Sequence, residues 1–181
     1  PQIQKNHSGY LMKAKIITGC ASKVTPNCVC VGSKTYHYDY LVISSGSKYS
    51  SMFPGAKKVY TINSADLARS FELLRISQRV LIIGGGYVGV ELAGEIIDSY
   101  PEKKITIVHA GNALLERCSI KAQKISAEYL KKNNVQLVLG QKIISKKRDY
   151  FITDSGARIK ADICYSCTGV TPNTDYLKSC N

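Results

Sequence analysis

Apolar residues recur along the chain with two different periods, and the change from one to the other marks its elements. Arg79-Val80-Leu81-Ile82-Ile83 is a short, almost continuous apolar run rich in branched residues. That is the pattern of a strand buried on both faces of a parallel sheet. It enters Gly84-Gly85-Gly86 and leaves through a segment in which Val88, Leu92 and Ile96 recur at helical spacing, ending before Pro101. Lys104-Ile105-Thr106-Ile107-Val108 reads as a second parallel strand. Strand, helix and strand together have the length of a βαβ unit, roughly 30 residues.

The flanks carry weaker patterns. Lys15-Ile16-Ile17-Thr18, Cys28-Val29-Cys30-Val31 and residues 36–45 read as strands, the last containing the apolar run Tyr40-Leu41-Val42-Ile43 and stopped by Gly46. Residues 48–62 form a polar linker with Pro54-Gly55. Asn63 is placed to cap a helix, with Asp66 in its first turn and Leu67, Phe71 and Leu74 on one face. Further on, a helix is predicted over roughly 119–132 with Ala122, Ile125 and Tyr129 inward, followed by a strand over 135–139. Short antiparallel strands are predicted over 142–145, 149–153 and 157–160, with a hairpin turn at Asp154-Ser155-Gly156. Asp162-Ile163-Cys164-Tyr165-Ser166-Cys167 is a last buried strand, broken at Thr168-Gly169.

Composition narrows the setting. The 181 residues are 44% hydrophobic and 21% charged, ordinary for a globular protein. No apolar run approaches the roughly 18 residues of a membrane-spanning helix, and no signal peptide is recognisable. The chain opens on Pro1 rather than methionine, so a piece of a longer protein is expected. Seven scattered cysteines read as reduced, mostly buried thiols of an intracellular protein, and the expected setting is cytoplasmic or peripheral on an organelle membrane. Cys164-x-x-Cys167 has zinc-ligand spacing but sits in an apparent strand without a second pair, and no metal site is predicted. Cys28 and Cys30 share one strand face and read as structural. The net charge of +12 comes from dispersed lysines. It allows attraction to anionic membrane or nucleic acid, but no nucleic-acid-binding motif accompanies it.

The candidate chemistry sits in the glycine turn. Gly84, Gly86 and Gly89 make G-x-G-x-x-G between a strand and a helix, the setting that gives this motif its meaning. Gly84 serves the tight turn, Gly86 lets backbone approach a pyrophosphate, and Gly89 lets the helix press on the strand. The helix start, Tyr87 and Val88, offers N–H groups and a partial positive charge to phosphate. A fold of this kind reads the adenosine ribose at the end of the next strand, where this chain has His109. A carboxylate there would exclude a 2′-phosphate. Imidazole accepts from a hydroxyl or donates to a phosphate, so both NADH and NADPH are expected.

Three stretches, in order, carry a family resemblance. They are Tyr38-Asp39-Tyr40-Leu41-Val42-Ile43-Ser44-Ser45-Gly46-Ser47, the glycine fingerprint, and Cys167-Thr168-Gly169-Val170-Thr171-Pro172-Asn173. Together they resemble the two-dinucleotide-binding-domain flavoprotein reductases of the pyridine nucleotide-disulphide oxidoreductase superfamily. The continuation Gly89-Val90-Glu91-Leu92-Ala93-Gly94-Glu95-Ile96 to Tyr100-Pro101-Glu102-Lys103-Lys104 is similar to the apoptosis-inducing-factor-like, ferroptosis-suppressor branch.

The resemblance implies an α/β fold in which a Rossmann-like NAD(P)H-binding domain, with a parallel sheet and a small antiparallel meander, is flanked by strands of an incomplete FAD-binding domain. The implied domains are 1–47 (part of the FAD-binding domain), 48–167 (NAD(P)H-binding) and 168–181 (the return crossover). Gly46 and Gly169 mark the two crossovers. Gly84, Gly85, Gly86, Tyr87, Val88 and Gly89 hold the nucleotide with His109, and Glu91 lies near the nicotinamide as the catalytic candidate. The implied activity is that of an FAD-dependent NAD(P)H oxidoreductase passing electrons to a quinone-like acceptor. FAD belongs to the full-length protein and is expected to be absent from this fragment, which alone would be inactive. The redox-active cysteine pair of the superfamily's disulphide-reductase branch has no counterpart here, which argues against a thiol–disulphide mechanism. The competing readings are a type II NADH dehydrogenase and a non-catalytic, nucleotide-regulated protein attached to nucleic acid or membrane through its basic surface.

Overall fold

The computed structural model describes residues 6–49, 51–62 and 64–177, with the side chains of 64–66 left aside. The chain divides into two compact units, Pro1–Gly46 with Pro172–Asn181, and Ser47–Thr171.

The first unit is built on an antiparallel meander, β1 (Ala21–Thr25), β2 (Cys28–Val31) and β3 (Lys34–His37). Thr25 Oγ1 donates to Asn27 Oδ1 at 3.1 Å and accepts from the Cys28 N–H at 3.2 Å, which closes the first turn. Two predicted strands are corrected here. Residues 15–18 are irregular, and the expected strand over 36–45 survives only as the end of β3. Tyr40 and Val42 are 93% and 86% exposed. An apolar run becomes a strand only where neighbouring strands take its N–H and C=O groups, and the described residues bring none to this one.

In the second unit, β4 (Ser47–Tyr49), β5 (Val59–Tyr60) and α1 (Ser64–Ile76) lead into β6 (Arg79–Ile83), α2 (Tyr87–Ser99) and β7 (Lys104–His109). Then follow α3 (Ile120–Lys132), β8 (Gln136–Leu139), β9 (Ile143–Lys147), β10 (Tyr150–Thr153), β11 (Arg158–Lys160), β12 (Ile163–Ser166) and β13 (Val170–Pro172). The main sheet is five-stranded, in the order β5-β12-β6-β7-β8, and its strand pairs are parallel. Strands β9, β10 and β11 form a separate antiparallel sheet, and β4 pairs with β13.

Period-two alternation sorts the main sheet's side chains into two cores. Val80, Ile82, Ile105 and Ile107 pack with Ala93 and Ile96 of α2 on the helical side. Leu81, Ile83, Val108 and Cys164 pack with Ile143 and Phe151 of the meander on the other. All four residues of β12 are buried, as a central parallel strand requires. Asp162 pins the start of the sheet. One carboxylate oxygen accepts from the Arg79 Nη2 at 2.6 Å, and the other accepts from the Arg79 backbone N–H at 2.8 Å. Buried Lys103 donates to the Ser77 carbonyl at 2.7 Å and the Arg75 carbonyl at 3.3 Å, satisfying the C-terminal end of α1.

Two helices are rotated from the predicted phase. In α1, Leu74 is buried, but Leu67 and Phe71 are 53% and 52% exposed. The inward stripe runs through Ser70, Leu74 and Ser77, and both serines can be buried because their hydroxyls donate to Leu67 and Leu73 carbonyls. In α3, Ser119 caps the first turn through the Ala122 N–H, and Leu130 and Ala127 face the core. Ile125 and Tyr129 are 56% and 46% exposed, and Tyr129 spends its hydroxyl on Asp98 of α2. The predicted Asn63 cap and the Asp66 side chain lie outside what is described.

Candidate functional site: the cleft at the strand ends

The three fingerprint glycines do three different things. Gly84 has φ +112°, and a Cβ there would lie 2.3 Å from the Cys167 carbonyl oxygen, so neither the conformation nor the space admits a side chain. Gly89 packs its bare Cα on the turn itself, since a Cβ would be 1.9 Å from the Gly84 carbonyl oxygen. Gly86 is different. Its φ of −79° and ψ of −169° are ordinary extended backbone, and a Cβ would meet nothing within 4 Å. Gly85 is a packing residue, with Leu114 and His109 against it.

Gly86 is also the N-cap of α2, and no side chain caps that helix. There is no acidic residue in its first turn either. Its first N–H groups and its positive dipole end are therefore offered to whatever occupies the cleft.

That cleft has a volume of about 1060 Å³. Gly84, Gly86, Tyr87, Val88, His109 and Gly169 of the predicted residues line it. Gly85 and Gly89 stand behind the turn. Glu91 is exposed on α2 and does not line the cleft. Gly46 belongs to the first unit, where it has φ +71° and its carbonyl accepts from the Asn173 N–H at 2.9 Å. Gly169 has φ +108°.

Sequence reasoning missed Glu116, Arg117, Gln141, Lys142 and Cys167 as lining residues. They follow the C-terminal ends of β7, β8 and β12, where ligands of open α/β sheets bind, and that rule was the available signal. Long-range bonds bring the loops together: the Gly140 N–H donates to the Gly111 carbonyl at 2.8 Å and the Gln141 N–H to the His109 carbonyl at 3.1 Å. Glu116 Oε2 stands 3.9 Å from His109 Nε2, and Glu116 Oε1 accepts from the Asn112 N–H at 3.1 Å. Also in the cleft lining, burial pushes the Cys167 thiol up to about 12, so it stays protonated near neutral pH. The Tyr87 hydroxyl is also raised, chiefly by its hydrogen bond with the Cys118 thiol at 3.3 Å. Among the described residues, no group of three or more His, Cys, Asp or Glu side chains gathers as metal ligands. None of their helices is long and apolar enough to cross a membrane.

A parallel sheet with a glycine turn, an uncapped helix N-terminus and a cleft at its strand ends has the architecture of a Rossmann-like α/β unit. The chain belongs to the pyridine nucleotide-disulphide oxidoreductase family, whose model matches residues 2–181. It is 34% identical over 145 residues to apoptosis-inducing factor homolog A of Dictyostelium discoideum, covering 74% of this chain and 35% of that protein. It is 28% identical over 156 residues to human (Homo sapiens) ferroptosis suppressor protein 1, covering 79% of this chain and 41% of that protein. Among solved structures, the water-forming NADH oxidase of Lactobacillus brevis bound to NADH matches with a TM-score of 0.71 and 25% identity, over 84% of this chain and 36% of that one. The chain thus spans less than half the length of each of these proteins.

Proposed function

We propose that the unit Ser47–Thr171 binds NAD(P)H in the strand-end cleft, as the nicotinamide-nucleotide part of an FAD-dependent oxidoreductase that passes electrons to a quinone-like acceptor. The observation that carries this reading is Gly86. Neither backbone conformation nor packing requires glycine there, so the bare Cα leaves room for something other than protein. An extended pyrophosphate on the α2 N-terminus is the group that fits this space and charge.

On this reading the backbone of Gly86, Tyr87 and Val88 holds the pyrophosphate, and His109 and Glu116 stand at the ribose side. NAD(P)H supplies a hydride when bound. Glu91 is assigned to the nicotinamide end on family resemblance alone. Cys167, with its protonated thiol, takes no nucleophilic part.

The domain reading follows the same resemblance, with 1–47 and 168–181 as portions of a flavin domain and 48–167 as the nicotinamide domain. The 181 residues contain one G-x-G-x-x-G, so flavin would be held through residues beyond these. The quinone-like acceptor rests on the resemblance to the ferroptosis-suppressor branch alone.

Calorimetric titration tests the reading. NADH should bind this chain, and ADP-ribose, which keeps the pyrophosphate and lacks the nicotinamide, should compete with it. Binding of NADH that ADP-ribose leaves untouched would contradict a pyrophosphate-centred site.

A further inference from the structure

We propose that Glu116, carried in by the loop after β7, reads the adenosine ribose and makes the cleft prefer NADH to NADPH. The inference rests on the proposed nucleotide cleft and deepens it. Strand β7 ends on His109, so the strand itself brings no carboxylate to the ribose position. The loop supplies one from seven residues on. Leu115, at φ +52°, turns the chain back, and its N–H donates to the Gly85 carbonyl at 2.9 Å, which ties the loop to the glycine turn.

Glu116 is then held at the cleft wall by one oxygen. Oε1 accepts from the Asn112 N–H, while Oε2 lies 3.9 Å from His109 Nε2. Gly111 leaves the space in which the carboxylate rests, for a Cβ there would be 2.0 Å from Oε1. The side chain is half exposed and lines the cleft beside His109. A carboxylate so placed keeps lone pairs for the two hydroxyls of a ribose, and it repels a 2′-phosphate.

Arg117 lines the same cleft with the opposite charge. Removing the Glu116 charge would leave His109 and Arg117 facing the ribose, an arrangement suited to a phosphate. The preference is therefore a balance that one side chain tips.

The test is a pair of dissociation constants, for NADH and NADPH, measured by calorimetry on wild type and on Glu116→Gln. The amide keeps an acceptor for the Asn112 N–H, removes the charge and replaces the other accepting oxygen with a donating NH2. Wild type should favour NADH, and Glu116→Gln should move the ratio toward NADPH by about tenfold or more. Gly111→Ala, which displaces the carboxylate without deleting it, should move the ratio in the same direction. If both coenzymes bind and Glu116→Gln leaves their ratio unchanged, this inference fails while the cleft reading stands. If neither coenzyme binds wild type, the cleft reading fails and this inference with it.

Discussion

A Cβ on Gly89 would sit 1.9 Å from the carbonyl oxygen of Gly84, five residues back at the other end of the turn. The first turn of α2 is thus seated on the chain that enters it. Gly89→Ala should force these backbones apart and destabilise the protein by about 1–3 kcal/mol, the usual cost of overpacking. Gly86→Ala, in open space with an ordinary backbone conformation, should change stability by less than about 0.5 kcal/mol. Urea midpoints of the two variants check this. Equal losses would contradict the division of labour among the glycines.

Acid should weaken the sheet through Asp162. The hydrogen bond from the Arg79 guanidinium, aided by the Arg79 and Gln78 backbone N–H groups, holds this carboxyl below its usual value. A depressed carboxylate contributes stability that is fully present above its unfolded pKa of about 3.9 and is lost as pH falls through the folded value. Both partners are partly exposed to solvent, so the contribution is about 1 kcal/mol. Asp162→Asn should therefore be less stable than wild type at pH 7, and the gap should close below about pH 4. A gap that persists unchanged at pH 2 would assign the loss to packing.

The thiols are not mostly buried as expected: among the described cysteines only Cys164 is buried, Cys28, Cys30, Cys118 and Cys167 are partly so and Cys20 is exposed, so thiol reactivity should separate them by burial. The Cys167 thiol is pushed up to about 12 and the Cys164 thiol is raised as well, in both cases chiefly by burial, while Cys20 is exposed. At pH 8 only about one Cys167 in 10,000 is thiolate, the reactive form. Alkylation of the folded chain followed by peptide mass spectrometry should label Cys20 and spare Cys164 and Cys167 until denaturant is added. Labelling of Cys167 at the rate of Cys20 would contradict the protonated, non-nucleophilic thiol.

The parts that were legible from sequence are those whose signal is local. β6 and β7 have unbroken branched runs, the turn between β6 and α2 carries its glycines at fixed offsets, and Asp154-Ser155-Gly156 turns the β10–β11 hairpin as composition suggests. The failures all needed distant partners. Residues 40–45 have the composition of a strand, but that conformation depends on neighbours that the described residues do not bring to them. The phases of α1 and α3 misled because their largest apolar residues, Phe71, Ile125 and Tyr129, face outward while Ser70 and Ala127 turn in. Glu116 had only its position after β7 to signal it: its place depends on the Leu115 turn and on bonds to Gly85 and Asn112.

Titration of NADH into Gly86→Val reads out whether a pyrophosphate lies against Gly86. The valine would stand in the cleft where backbone should meet phosphate, and beyond its chain neighbours nothing lies within 4 Å of its Cβ. Gly86→Val should keep the thermal unfolding curve of wild type and lose NADH affinity at least about a hundredfold, some 2.7 kcal/mol of contact. A folded Gly86→Val that binds NADH as tightly as wild type would contradict it.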